Sequence, residues 1–150
     1  MNNELYIKKC LVLAKKSEMK NEIPVGAVLT QNNIILAESH NLSINANDPT
    51  AHAEINVIRS ACKKINNYRI NNSVLYTTLE PCLMCMGAIC EARIECVVFG
   101  AYSSSESSID EKFNILKENY SLDHKPKFIG GILQNECSLM LRNFFKRKRG

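Results

Sequence analysis

A chain of 150 residues, 45% apolar and 23% charged, has the length and balance of one globular domain able to bury a core. No run approaches the roughly 20 apolar residues of a membrane helix, and the opening MNNELYIKKC lacks a signal peptide's apolar stretch, so a cytoplasmic protein without membrane attachment is expected. The net charge of +4 is local: Arg142, Lys146, Arg147, Lys148 and Arg149 lie in 142–150 with no acid, and setting those five aside leaves 14 basic against 15 acidic residues.

Over residues 3–20, Leu5, Cys10, Leu11, Leu13 and Ala14 recur between lysines, a spacing that predicts an amphipathic helix. VGAVLT and IILAE are short β-rich runs joined by Gln31, Asn32 and Asn33, and asparagine tolerates the positive φ of a tight hairpin turn. Asp48 and Pro49 offer a cap and a first-turn proline for a helix over about 50–64, along which Ala51, Ile55, Ile58, Cys62 and Ile65 repeat. SVLYTTL (73–79) reads as a buried strand, Pro81 as the opening of a short helix through about Ala92, and ECVVFGA (95–101) as the next strand. SSSESS (103–108) is a polar loop, 109–118 a helix and KFIGGI a brief extended piece. Leu133, Cys137, Met140, Leu141 and Phe144 mark a final amphipathic helix. Strands alternating with helices imply a three-layer α/β/α domain around a central sheet.

Seven cysteines, an odd number without a framework, fit reduced thiols better than disulfides, so thiolate ligation of a metal is available. Cys82 and Cys85 in PCLMC have two residues between them, and on a helix's first turns this three-residue spacing puts their sulfurs on one face beside the positive helix end. His52, at the start of the preceding helix, adds an imidazole. Two sulfurs and one imidazole make three zinc ligands and leave a fourth corner for water, the open geometry of a catalytic site. Glu54 is either a further ligand or, more usefully, the group that takes the water's proton and hands it on. Two other readings stand beside this one: a thioredoxin-like redox pair at Cys82 and Cys85, and a closed structural zinc site that recruits Cys90 in a nucleic-acid-binding module, though Cys90 lies about two helical turns from Cys82. Cys10, Cys62, Cys96 and Cys137 read as core residues and His124 as structural or surface. At the C-terminus, FFKRKRG places two aromatics before four cations, a local footprint for nucleic acid. For the phenylalanines alone the favoured reading is a solvated helix end whose Phe144 and Phe145 pack into the core.

His-x-Glu followed by Pro-Cys-x-x-Cys resembles the signature of the zinc-dependent nucleobase and nucleoside deaminases. Within that group the chain is most similar to the bacterial tRNA-specific adenosine deaminases, through IPVGAVL (23–29), HN (40–41), DPTAHAEI (48–55), TLEPCLMCMGAI (78–89), VVFGA (97–101), GGIL (130–133) and FFKRKR (144–149). The resemblance implies one cytidine deaminase-like domain over 1–150 with a central mixed sheet and a basic C-terminal helix at about 132–149. It implies one zinc per subunit on His52, Cys82 and Cys85, and Glu54 as proton shuttle. It places Asn41, Val25 and the backbone around Ala53 at the base. The implied reaction is attack of zinc-bound hydroxide on C6 of a flipped-out wobble adenosine, giving inosine. A homodimer and an anticodon stem-loop held by Lys146, Arg147, Lys148 and Arg149 are implied as well. A deaminase of a free base such as cytosine or guanine is the alternative within the same chemistry. After VVFGA, where the family carries a loop resembling Arg-Asp-x-Lys-Thr-Gly-Ala that helps hold RNA, this chain has Tyr102, Ser103, Ser104, Ser105, Glu106 and Ser107.

Overall fold

A computed structural model describes residues 2–103, 109–122 and 124–149; of the expected serine loop at 103–108, all but Ser103 lies outside the described residues. Helix α1 (Asn3–Met19) leads into the hairpin β1 (Gly26–Gln31) and β2 (Ile34–His40), followed by α2 (Ala53–Ile65), β3 (Ser73–Leu79), α3 (Leu83–Glu91) and β4 (Cys96–Ala101). The chain closes with α4 (Ile109–Tyr120), β5 (Lys127–Ile129) and α5 (Gln134–Arg149). The hairpin turns where the asparagines stand, with φ of 51° at Asn32 and 65° at Asn33, the two left-handed residues that match the twist of paired strands.

The five strands order as β2-β1-β3-β4-β5. β1 runs antiparallel to both β2 and β3, whereas β3, β4 and β5 are parallel, so the sheet is mixed. Alternate side chains feed two cores. Ala27, Leu29, Leu75, Val97 and Phe99 face α2, α3 and α4, while Val28, Tyr76, Cys96 and Val98 face α1 and α5. The expected three layers are these. β1 and α1 pack so closely that a Cβ on Gly26 would run into the main chain of α1 at Cys10 and Ala14.

Several local expectations change. α1 buries Ile7, Cys10, Leu13, Ala14 and Ser17, while Leu5 is half exposed because it lies off that stripe. α2 starts three residues later than expected, since Asp48 caps no helix; its Oδ1 accepts from Thr50 N–H at 2.9 Å and Thr50 Oγ1 at 2.7 Å in a local turn. Pro81 likewise precedes α3 by two positions, leaving Cys82 as the N-cap. At the C-terminal end only Phe144 is buried; Phe145 is exposed and meets it edge to face at 5.4 Å between centroids. Among the described residues no helix is long and apolar enough to cross a membrane.

Candidate active site

The carboxyl end of β3 delivers the chain to α3, and the end of β2 delivers it through a loop to α2, so two helix N-termini converge at one rim of the sheet. His52 and Cys82 are the N-caps of those helices, with extended backbone (ψ 154° and 173°) and no side-chain cap bond, which leaves both side chains available to each other. Cys85 lies one turn along α3 and is fully buried. His52 Nδ1 stands 3.6 Å from Cys82 Sγ and 3.5 Å from Cys85 Sγ, and the three donor atoms fall within 4.8 Å of one another.

That set fits zinc. Bonds of about 2.3 Å to sulfur and 2.0–2.1 Å to nitrogen at tetrahedral angles separate sulfur from nitrogen by about 3.5–3.6 Å, which is the observed spacing. Among the described residues this is the one cluster of three or more His, Cys, Asp or Glu donors suited to a metal, and Glu54 and Cys90 are not in it. Cys90 instead lies in the core beside a separate small cavity with Arg93 and His124. The closed four-ligand reading with Cys90 therefore has no geometric support. The redox reading accounts for neither the imidazole at bonding distance of both sulfurs nor the adjacent carboxyl.

Electrostatics distinguish the two thiols. Cys82 is pushed down to about 5, chiefly by the hydrogen bond from the Cys85 thiol, against the opposing effect of burial and with help from the Cys85 N–H and His52. Cys85 is raised far above the ordinary thiol range, first by that same bond to Cys82 and then by burial. Metal ligation takes both sulfurs as thiolates. Glu54, 4% exposed on the first turn of α2, is pushed up to about 7, mainly by burial, with Cys82 adding to the rise and its own backbone N–H, His52 and Cys85 opposing it.

Around this centre lies scaffolding that sequence reasoning missed. Asn41, 7% exposed, is fixed through its main chain: its N–H donates to Val25 O at 3.0 Å and its carbonyl accepts from Ser17 Oγ at 2.8 Å. Asn56 Nδ2 ties the ends of the preceding loop, donating to His40 O at 3.0 Å and Ala51 O at 3.2 Å. Glu22, fully buried, accepts from Ile44 N–H, Asn45 N–H and Asn45 Nδ2 at 3.2, 2.7 and 2.6 Å. Val25 and Ala53 are themselves buried in the core on the α2 side of the sheet, so their side chains offer little contact surface. The signal available in the sequence was polarity out of place: Ser17 continues the apolar stripe of α1 at helical spacing.

At the carboxyl ends of β3 and β4 opens a groove of about 870 Å³ whose walls include Leu79, Tyr102, Leu141, Phe145, Lys146 and Arg149. The four basic residues expected to meet RNA divide here. Lys146 and Arg149 line the groove. Arg147 is paired with Glu18 of α1 at 2.8 Å, and Lys148 stacks its ammonium over Phe144 at 5.6 Å.

Residues 1–101 match the family described as the cytidine and deoxycytidylate deaminase zinc-binding region. Over 98% of its length the chain is 45% identical to a tRNA-specific adenosine deaminase of Haemophilus influenzae, of which it covers 85%. It is 42% identical to that of Bacillus subtilis, covering 98% of this chain and 91% of the relative. A solved structure from a study of A-to-I editing by tRNA:A34 deaminases at the wobble position superposes with a TM-score of 0.83 at 34% identity, covering 91% of this chain and 98% of the other.

Proposed function

The chain belongs to the zinc-dependent cytidine and deoxycytidylate deaminase family, and from that premise we propose that it hydrolyses adenosine to inosine at the wobble position of a tRNA anticodon. The observation that carries the reading is a three-donor metal centre with a buried carboxyl beside it and no fourth protein ligand among the described residues. The similarity to tRNA-specific adenosine deaminases along nearly the whole chain supports an RNA adenosine over a free base.

His52, Cys82 and Cys85 would hold one zinc per subunit, and a zinc ion bound there supplies a Lewis acid that brings the ionisation of water near neutral pH. Glu54 moves the proton: its carboxylate accepts one from water, passes it to the adenine ring nitrogen and supports the departure of ammonia. Asn41, held rigidly through Ser17 and Val25, would position the flipped nucleoside, and the main chain at Val25 and Ala53 would wall the base. Lys146 and Arg149 would pair with phosphates while Phe145 and Tyr102 offer faces for stacking. The reading takes 1–150 as a single cytoplasmic domain that works as a homodimer.

The test is a paired assay on zinc-loaded protein, offering a wobble-adenosine anticodon stem-loop in one arm and free adenine, cytosine, guanine and their nucleosides in others. Inosine in the RNA arm alone, absent with Glu54→Ala, is the expected result. Ammonia from a free base alone would move the chain to a nucleobase deaminase, and no turnover in any arm would leave it a binding protein.

A further inference from the structure

We propose that Lys112 of α4 is a positioning residue of the metal centre, clamping the two-residue link between β3 and the ligand Cys82. Lys112 sits on the buried face of α4 with Ile109, Phe113 and Leu116, so its ammonium is carried inward instead of out to solvent. There it donates to Glu80 Oε2 at 2.6 Å and to the carbonyl of Pro81 at 2.9 Å, with the lysine 9% and the glutamate 4% exposed. A buried ion pair of this kind is tolerated only when its hydrogen bonds are well made.

The place it grips decides its role. Glu80 leaves the sheet with its N–H bonded to Ala101 O at 2.8 Å, and Ser103 Oγ donates to the same carboxylate oxygen as Lys112 at 3.2 Å. Pro81 has no N–H to give, and its carbonyl begins the peptide whose nitrogen belongs to Cys82. Fixing that carbonyl fixes the peptide plane from which the Cys82 side chain leaves. Cys82 caps α3 with its sulfur turned to His52 and Cys85 instead of to the helix end, and its main chain sets the point from which that sulfur reaches them. An ion pair from a neighbouring helix thus orients the ligand's main chain from behind, one peptide further out than the partners bonded directly to a ligand, whose loss typically lowers metal affinity about 10- to 100-fold. Sequence reasoning placed no role on Lys112; a lone lysine at apolar helical spacing was its signal.

The inference rests on the assignment of His52, Cys82 and Cys85 as zinc ligands, so zinc uptake by the unaltered protein is the control. Zinc affinity is measured by competition with a chromophoric chelator, and the site's geometry by the absorption spectrum of the Co²⁺-substituted protein, in the wild type, Lys112→Met and Glu80→Gln/Lys112→Met. The double variant removes the carboxylate that would otherwise be buried without its cation, and serves if the single variant does not fold. Expected is a loss of roughly 10- to 100-fold in zinc affinity with altered Co²⁺ bands in both variants. Wild-type affinity and an unchanged Co²⁺ spectrum in either folded variant, whatever its melting temperature, would reduce Lys112 to packing and overturn the proposal. Failure of the wild type to take up zinc would instead strike the metal-site assignment, and the proposal would fall with it.

Discussion

Ser17 Oγ, fully buried on the core face of α1, donates to the main-chain carbonyl of Asn41 at 2.8 Å and lies 3.2 Å from His40 Nδ1. A hydroxyl on the far side of the sheet's edge thereby fixes the residue that the proposed mechanism places against substrate. Asn41 Oδ1 is in turn held by Ser43 Oγ at 2.9 Å, so backbone and side chain are both anchored. Ser17→Ala removes one buried hydrogen bond, worth about 1 kcal/mol, and lowers the melting temperature by roughly 2–4 °C for a domain of this size. The catalytic consequence should fall on binding: KM for the RNA stem-loop rises several-fold while kcat changes little. Steady-state kinetics with an unchanged KM would separate Ser17 from substrate positioning.

Glu54→Gln keeps the shape of the side chain and removes its capacity to shuttle a proton. Turnover should fall by at least about 10²- to 10⁴-fold, with zinc content by metal analysis unchanged, because Glu54 is outside the donor triad. Loss of zinc together with activity would make Glu54 a ligand in place of a base.

The fold was legible where chemistry is local. Asn32 and Asn33 announced the hairpin, and the charge-free run SVLYTTL, rich in β-branched and aromatic residues, announced β3 at its observed bounds. The metal triad was legible too, because a Cys-x-x-Cys pair at the start of one helix and a histidine at the start of another supply donors of the right chemistry at corresponding places in the fold. Helix starts were less so: Asp48 and Pro81 carry capping chemistry, yet tertiary demands set α2 and α3 to begin at Ala53 and Leu83 so that His52 and Cys82 occupy the caps. What stayed hidden were the long-range polar contacts outside the metal triad, such as Ser17 with Asn41, Glu22 with Asn45 and Lys112 with Glu80. Such pairs join positions 23–32 residues apart, and periodicity carries no information about which buried polar groups will meet.

Gly26 tolerates no side chain. A Cβ there would collide with the carbonyl of Cys10 and stand 2.8 Å from both Ala14 N and Leu13 Cβ, and neither α1 nor β1 can withdraw without opening the core between them. Gly26→Ala should cost about 3 kcal/mol or more, at the upper end of overpacking effects, whereas Gly87→Ala, whose Cβ meets nothing within 4 Å, should be neutral or stabilising. Chemical denaturation of the two variants side by side checks the contrast.

Glu22 gives stability a dependence on acid. Its burial raises the carboxyl pKa, but the N–H groups of Asn45 and Ile44 and the Asn45 amide outweigh that, and the net shift is below the ordinary 4.5. A group depressed in the folded state stabilises fully above its unfolded pKa and loses that contribution as pH falls through the folded value. The melting temperature of the wild type should therefore exceed that of Glu22→Gln at pH 6–7, by the equivalent of about 2 kcal/mol for bonds to a charged acceptor, and the gap should narrow below pH 4.5. A gap independent of pH between 3 and 7 would show that the carboxylate charge contributes nothing.

The basic end of α5 predicts a division of labour among like charges. Lys146 and Arg149 line the groove, while Arg147 is turned to Glu18 across the α1–α5 contact and shares that carboxylate with Lys15 at 2.6 Å. Glu18 is accordingly held below its usual pKa, first by Lys15 and, against the effect of burial, by Arg147. If Lys146 and Arg149 each neutralise one phosphate, replacing both by alanine should weaken stem-loop binding and reduce the slope of log K against log salt by roughly 1.4–1.8 in total, since each phosphate contact contributes about 0.7–0.9. Arg147→Ala should leave the slope nearly unchanged and cost at most about 1 kcal/mol of stability, as an exposed ion pair does. Binding titrations at several salt concentrations read both effects at once. Equal slopes for Lys146→Ala/Arg149→Ala and the wild type would remove the groove from the RNA path, and a large slope change in Arg147→Ala would mean that its pairing with Glu18 gives way when RNA arrives.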